Sequence, residues 1–229
     1  MTIAIHQPNY LPWLGYFAKI FAADVFVLLD DVQYSKKSVG AKNYILSKDE
    51  KKTPLSVSVK MSNGAFQNYN KLQIEYNTNW HIKHINKIKD AYCKTNFYKE
   101  YFEQLDNILR KKHQYLSELN IEIILWLLTL LENKTEIEIS SKLQLPNLDD
   151  KNKRNIQLCK LFNADVYLSG QGAKKYNVEN EFIYAGIKLN YQQFNHPIYK
   201  QNSKVFNENL SILDALFNIG AEELKKILQ

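Results

Sequence analysis

Apolar positions change period several times along the chain, and each change marks an element. Thr2 to Ile5 is a short β-rich run ending at His6, and Pro8 and Pro12 stop any regular element until about Leu14. From Trp13 to Ala22 the residues Leu14, Phe17, Ala18 and Phe21 recur at helical spacing. Val25 to Leu29 is then unbroken apolar sequence of strand length, as a central parallel strand requires. Leu55 to Val59 alternates with period two, which predicts a half-buried strand after the polar, Lys-rich stretch 33–52. Trp80, Ile82, Ile85, Ile88, Ala91 and Tyr92 predict one helix, Phe97 to Leu109 a second and Tyr115 to Leu131 a third.

Beyond these helices, Ile137 to Ile139 reads as a short strand. A loop containing Pro146 precedes a helix carrying Ile156, Leu158, Leu161 and Phe162. Ala164 to Leu168 is a strand by composition, Lys188 to Gln192 is the last strand, and 210–228 reads as two helices broken at Gly220. Strands alternating with helices predict an α/β fold with a Rossmann-like, mostly parallel sheet. The 229 residues are read as one domain with a helical insert at about 80–132.

Thirty Lys and Arg against 24 Asp and Glu leave a net charge of +6, in a chain that is 45% hydrophobic. That balance excludes a disordered chain and a disulfide-knotted peptide. Arg110 and Arg154 are the only arginines, so the positive charge resides in lysines, which bind anions as point charges rather than as planar forks. Cys93 and Cys159 form no CxxC pair and fit free thiols in a reducing compartment. The longest apolar run, Ile121 to Leu131, is too short for a bilayer span and contains Glu122. With no secretory signal at the start, the expectation is a cytoplasmic protein.

Three clusters could carry chemistry. The first is His6-Gln7-Pro8-Asn9-Tyr10-Leu11-Pro12-Trp13, where prolines stiffen a polar loop at the end of the first strand. It is either a pre-organised ligand loop or a rigid turn whose Tyr and Trp plug the core. The second is Asp30 and Asp31 with Gln33, Lys36 and Lys37, placed where α/β sheets present their strand ends. The carboxylates could take a proton or hold Mg²⁺ and the lysines could hold phosphate, or the group is a solvated charge run. The third is Ser169-Gly170-Gln171-Gly172, a strand-to-helix turn that could aim N–H groups at an anion or be a plain tight turn. His81 and His84 lie three apart without a third metal ligand, which favours His84 as a pocket or packing residue and predicts no metal centre. His196 before Pro197 is a pocket group or a loop residue. No GxSxG, HExxH or Walker signature is present, which argues against standard hydrolase and P-loop chemistry.

The segments IHQPNYLPWLGYFAKI, DVFVLLDDVQYSKK and KNYI closely resemble the opening of the WbqC-like protein family. The resemblance continues through Trp80 to Tyr92, LSGQGAKKY with Tyr176, FNHPIY at 194–199 and LSILDALFNIG. It implies a role in bacterial surface polysaccharide (O-antigen, lipopolysaccharide) synthesis and the attachment of glycine or another amino acid to a sugar. Where such proteins carry Arg-Asn, this chain has Lys42-Asn43, which replaces a bidentate anion clamp by a point charge. The strand, His loop, helix, strand, acid order is also similar to nucleotidyltransferase-like Rossmann folds such as pantothenate synthetase, although only His6 of their HxGH pair is present. That similarity implies Mg·ATP as a cofactor or co-substrate.

Two readings follow. In the first, an enzyme transfers an aminoacyl group, most simply glycyl, to the amino group of a nucleotide-linked sugar. The acyl donor is then an ATP-activated amino acid or glycyl-tRNA, whose acceptor stem would meet Lys36 to Lys52. His6, Asp30, Asp31 and Lys36 are the candidate catalytic residues. Gln7, Asn9, Tyr10, Trp13, Gln33, Lys42, Asn43, His84, Ser169, Gly170, Gly172, Tyr176 and His196 are candidate substrate contacts. In the second, the protein is a non-catalytic nucleotide-sugar-binding or assembly module of the same pathway. Homo-oligomerisation is open in both.

Overall fold

The computed structural model describes residues 1–35, 39–61, 67–146, 148 and 150–229. A parallel sheet is built from β1 (Thr2–His6), β2 (Val25–Leu28), β5 (Glu136–Ile139), β6 (Val166–Ser169) and β7 (Lys188–Tyr191), in the order β5-β2-β1-β6-β7. The chain steps outward from β1 to β2 to β5, then crosses back to continue through β6 and β7. That order is Rossmann-like, and its direction reverses between β1 and β6, so the loops leaving these two strands part and open a crevice.

β1 and β2 are apolar on both faces because both faces are covered. Ala4, Phe26 and Leu28 face a core shared with α1 (Leu14–Phe21) and α7 (Ile212–Leu228). Ile3, Ile5, Val25 and Val27 face α5 (Lys151–Leu161) and α6 (Glu179–Tyr184). The insert leaves the sheet after β2 and returns at β5. It comprises an antiparallel hairpin of β3 (Lys42–Leu46) and β4 (Lys52–Ser56), then α2 (Trp80–Tyr92), α3 (Tyr98–Arg110) and α4 (Leu116–Leu130). Its helices continue the core on the α1 face.

Three elements differ from the sequence expectation. The strand expected at 55–59 starts at Lys52, because pairing with β3 sets its limits, although Val59 still bridges to Ile74. β3 lies inside the stretch that reads as polar and Lys-rich. The expected helix after the glycine turn is a single 3₁₀ turn, Gln171–Ala173, and the short α6 follows it. The break at Gly220 is where the sequence places it, with φ 77° and ψ 169° inside α7. Among the described residues no helix is long and apolar enough to cross a membrane.

Candidate functional site

The loop after β1 is held by side chains of α4, β3 and α1 and by a main-chain bond from α7. Asn120 of α4 donates to the carbonyls of Pro8 at 2.8 Å and Gly40 at 2.7 Å, and Tyr10 N–H also donates to Gly40 O. Asn43 of β3 donates to Leu11 O, which fixes Leu11 at φ 44°, a left-handed value that leucine seldom adopts. Ile212 N–H of α7 closes on Pro12 O at 2.8 Å, and Tyr16 OH donates to Gln7 O at 3.1 Å. The prolines thus remove backbone donors from a loop whose carbonyls are claimed one by one.

His6 stands at the foot of this loop, half-buried, edge-on to the Tyr16 ring at 5.0 Å. Its Nδ1 lies 3.0 Å from Gln7 O, and since a carbonyl only accepts, Nδ1 carries the proton and Nε2 keeps its lone pair. Burial lowers its pKa to about 4, aided by the charge of Lys19 and opposed by the Gln7 carbonyl. At neutral pH His6 is therefore an uncharged base of fixed tautomer.

Lys19 explains part of this environment. Pairing of β1 with β6 ends at Ala4 with Leu168, so the Ile5 carbonyl beyond it lacks a strand partner, and the buried Lys19 Nζ donates to it at 2.9 Å. Burial brings the ammonium pKa down to about 7. Sequence reading missed Lys19; the signal was a single cation inside the apolar run Phe17-Ala18-Lys19-Ile20-Phe21.

One strand away, Asp30 and Asp31 follow β2. Asp30 is 4% exposed and accepts from Ser140 Oγ at 3.1 Å, Ser141 N at 2.9 Å and Ser141 Oγ at 2.7 Å. Asp31 is exposed and its Oδ1 lies 2.6 Å from the same Ser140 Oγ, so the two carboxylates converge on one hydroxyl although one is buried and the other exposed. Ser140 and Ser141 follow β5, and sequence reading had assigned them no role. Asp30 and Ser141 open onto a cleft of about 940 Å³ between the insert and the sheet.

On the other side of β1, Ser169 is fully buried and accepts from Asn177 Nδ2 at 3.0 Å. Gly170 and Gly172 have open space where a Cβ would stand, so a ligand could approach their backbone. Gln171 Nε2 donates to Gln192 O, and Gln192 Nε2 to Gly15 O, which ties β6, β7 and α1 together at their shared end. Gln171, Lys174, Tyr191 and Gln192 line a crevice of about 560 Å³ here. Tyr176 is exposed further out, with Lys151 and Lys175 5.1 and 5.4 Å from its ring centre.

The remaining candidates are scattered by the fold. Trp13 and His196 are half-buried and each contacts Phe194, at 5.2 and 5.8 Å between ring centres, forming an aromatic wall beside the loop. Tyr10 and His84 meet deep inside the protein, where Tyr10 OH donates to His84 Nδ1 at 2.9 Å, and burial lowers the His84 pKa to about 3. Both are packing partners that join the loop to α2. Asn9 and Asn43 are buried, while Gln33 is exposed and bridges to Asn68. Lys42 is exposed over the Tyr44 ring, and Lys36 and Lys37 lie outside the described residues. Gln7 is half-buried beside His6. Among the described residues no three His, Cys, Asp or Glu side chains converge as a metal-ligand set.

A parallel sheet whose order reverses at β1 and β6, with a pinned histidine loop, a buried aspartate and a glycine turn along one edge, defines a Rossmann-like α/β protein. Residues 7–226 match the WbqC-like protein family, and the chain belongs to that family. It is 31% identical over 222 residues to an uncharacterized protein of Mycobacterium tuberculosis, covering 96% of this chain and 94% of that protein. No solved structure matches it.

Proposed function

We propose that the protein is an aminoacyl transferase of bacterial surface polysaccharide synthesis that joins an aminoacyl group, most simply glycyl, to the amino group of a nucleotide-linked sugar. The observation that carries this reading is His6, uncharged at neutral pH, with Nδ1–H committed to Gln7 O and Nε2 free to accept a proton. Amide formation sheds a proton from the attacking nitrogen, and because burial disfavours the imidazolium, His6 can relay that proton but not store it. The sugar amine attacks the acyl carbonyl, His6 Nε2 takes the proton that the attacking nitrogen sheds, and the activating group departs. Asp30 would hold the amine before attack. The open backbone at Gly170 and Gly172, with Lys174 nearby, would meet the phosphates of an ATP-activated acyl donor. Mg·ATP supplies the activation in that case; glycyl-tRNA is the other source.

The test is a mass measurement on UDP- and dTDP-linked amino sugars incubated with the protein and either Mg·ATP plus glycine or glycyl-tRNA. A gain of one glycyl residue, lost in His6→Ala with the fold intact, supports the reading. Binding of the sugar nucleotide with no mass change under either donor would replace it with the non-catalytic module. Full activity of His6→Ala would remove His6 as the base.

A further inference from the structure

The cleft of about 940 Å³ between α3, α4 and the end of β5 has two unlike walls. One is an apolar panel on α4, formed by Ile121, Leu125 and Trp126, whose indole N–H is fixed on Gln104 at 2.8 Å. The other is rich in acceptors and includes one lysine, Lys142, which forms no ion pair with Asp30. Asp30 receives only neutral donors from Ser140 and Ser141, and among the described residues no cation pairs with it. Among the described residues Glu118 is bound only by the main-chain N–H groups of Gln114 and Tyr115. Asn70 Oδ1 is buried with no donor among the described residues, and the Asn70 main-chain N–H donates to the Asp30 main-chain O, which sets the two residues side by side.

A buried carboxylate without a cation and a buried acceptor without a donor both cost free energy, and one ligand group would relieve both: a cation with several N–H donors. A metal ion fits less well, because among the described residues no three His, Cys, Asp or Glu side chains converge as a ligand set. A primary ammonium fits, since its donors meet the acceptors, its carbon frame meets the α4 panel, and the Trp126 ring face attracts positive charge.

We infer that this cleft binds a primary amine on an apolar frame, with the ammonium against Asp30 and Asn70 and the frame against Trp126 and Ile121. The inference goes beyond the transfer reading: its ligand has an apolar frame, unlike a nucleotide-linked sugar, His6 does not line this cleft, and the binding does not need that reading.

The probe is 2-phenylethylammonium, titrated into the isotope-labelled full chain and followed by amide and indole NMR shifts, with 2-phenylethanol as the neutral match. The expected result is saturable shifts at Asn70, Ser141 and the Trp126 indole, with the alcohol weaker by about tenfold or more. Leu125→Lys brings a cation to the exposed rim of the cleft, where Leu125 is 41% exposed, and should weaken the amine by a similar factor without disturbing the core. Asp30→Asn should do the same if it folds; should it unfold, the alcohol and Leu125→Lys decide. Equal binding of amine and alcohol, indifference to Leu125→Lys, shifts centred elsewhere or no saturable shift would each overturn the inference. Amine binding here with no acyl transfer would leave it standing and remove the transferase reading.

Discussion

Asn120, in the middle of helix α4, donates to the carbonyl of Pro8 across 112 positions of sequence, at 2.8 Å. The insert and the loop that carries His6 are therefore one mechanical unit. Among the described residues Asn120 Oδ1 has no partner of its own, so the amide is committed to donation. Asn120→Leu leaves Pro8 O without its donor, which should cost about 1–3 kcal/mol, read as a drop in Tm. Asn120→Asp presents a carboxylate to two carbonyl oxygens and should cost more. Equal losses for the two variants would show that the donors are unimportant.

His84 should govern part of the acid sensitivity. Above pH 6.5 the ring is neutral in both folded and unfolded chains and contributes no slope. Below that, the unfolded chain takes up a proton that the folded ring, buried against Tyr10, refuses until about pH 3. Stability thus falls as pH falls through this window, at about 1.4 kcal/mol per pH unit for the one proton. Denaturant unfolding of His84→Gln between pH 6 and 4 should show a slope smaller by about that amount, and an unchanged slope would reject the assignment.

Lys19 makes the opposite end of the pH range informative. Unfolded, it holds its proton to about pH 10.5, while the folded protein gives it up near 7. Stability should therefore rise with pH between these values and lose that rise in Lys19→Met. The variant avoids burying a charge at pH 6 but leaves Ile5 O without a donor, at about 1–3 kcal/mol. It should be more stable than the parent at pH 6 and less stable at pH 10, so the two unfolding curves cross.

Gly220 sits at φ 77° and ψ 169°, a region that residues with a Cβ rarely enter, and an added Cβ would stand 2.7 Å from the Phe97 ring. Gly220→Ala should destabilise the fold by about 2–4 kcal/mol, or a fall in Tm of roughly 5–12 °C for a chain this long. A Tm within a degree of the parent would mean that α7 straightens freely.

The sequence made the sheet's core strands and the long helices legible because their apolar periods are local. β3 escaped notice because Lys42 and Asn43 open it with polar residues, and its partner β4 sets its limits from several residues away. The site was half legible. His6, Asp30 and Gly170 follow from the rule that strand ends carry ligand loops. The bond between Tyr10 and His84 spans 74 positions, and nothing local distinguishes a histidine in a pocket from one in the core. Asn120, Lys19 and Ser140 are single polar residues whose purpose is set wholly by distant carbonyls and carboxylates.

The pairing of Thr2 with Val166 in the centre of the sheet has a consequence for biosynthesis. β1 leaves the ribosome first, and its neighbour β6 follows about 160 residues later, which at about 5–20 residues per second is some 8–30 s. During that interval β1 can pair with β2, and β2 with β5, but the other edge of β1 stays bare. The half of the molecule that holds His6 is made while the half facing it is still being translated.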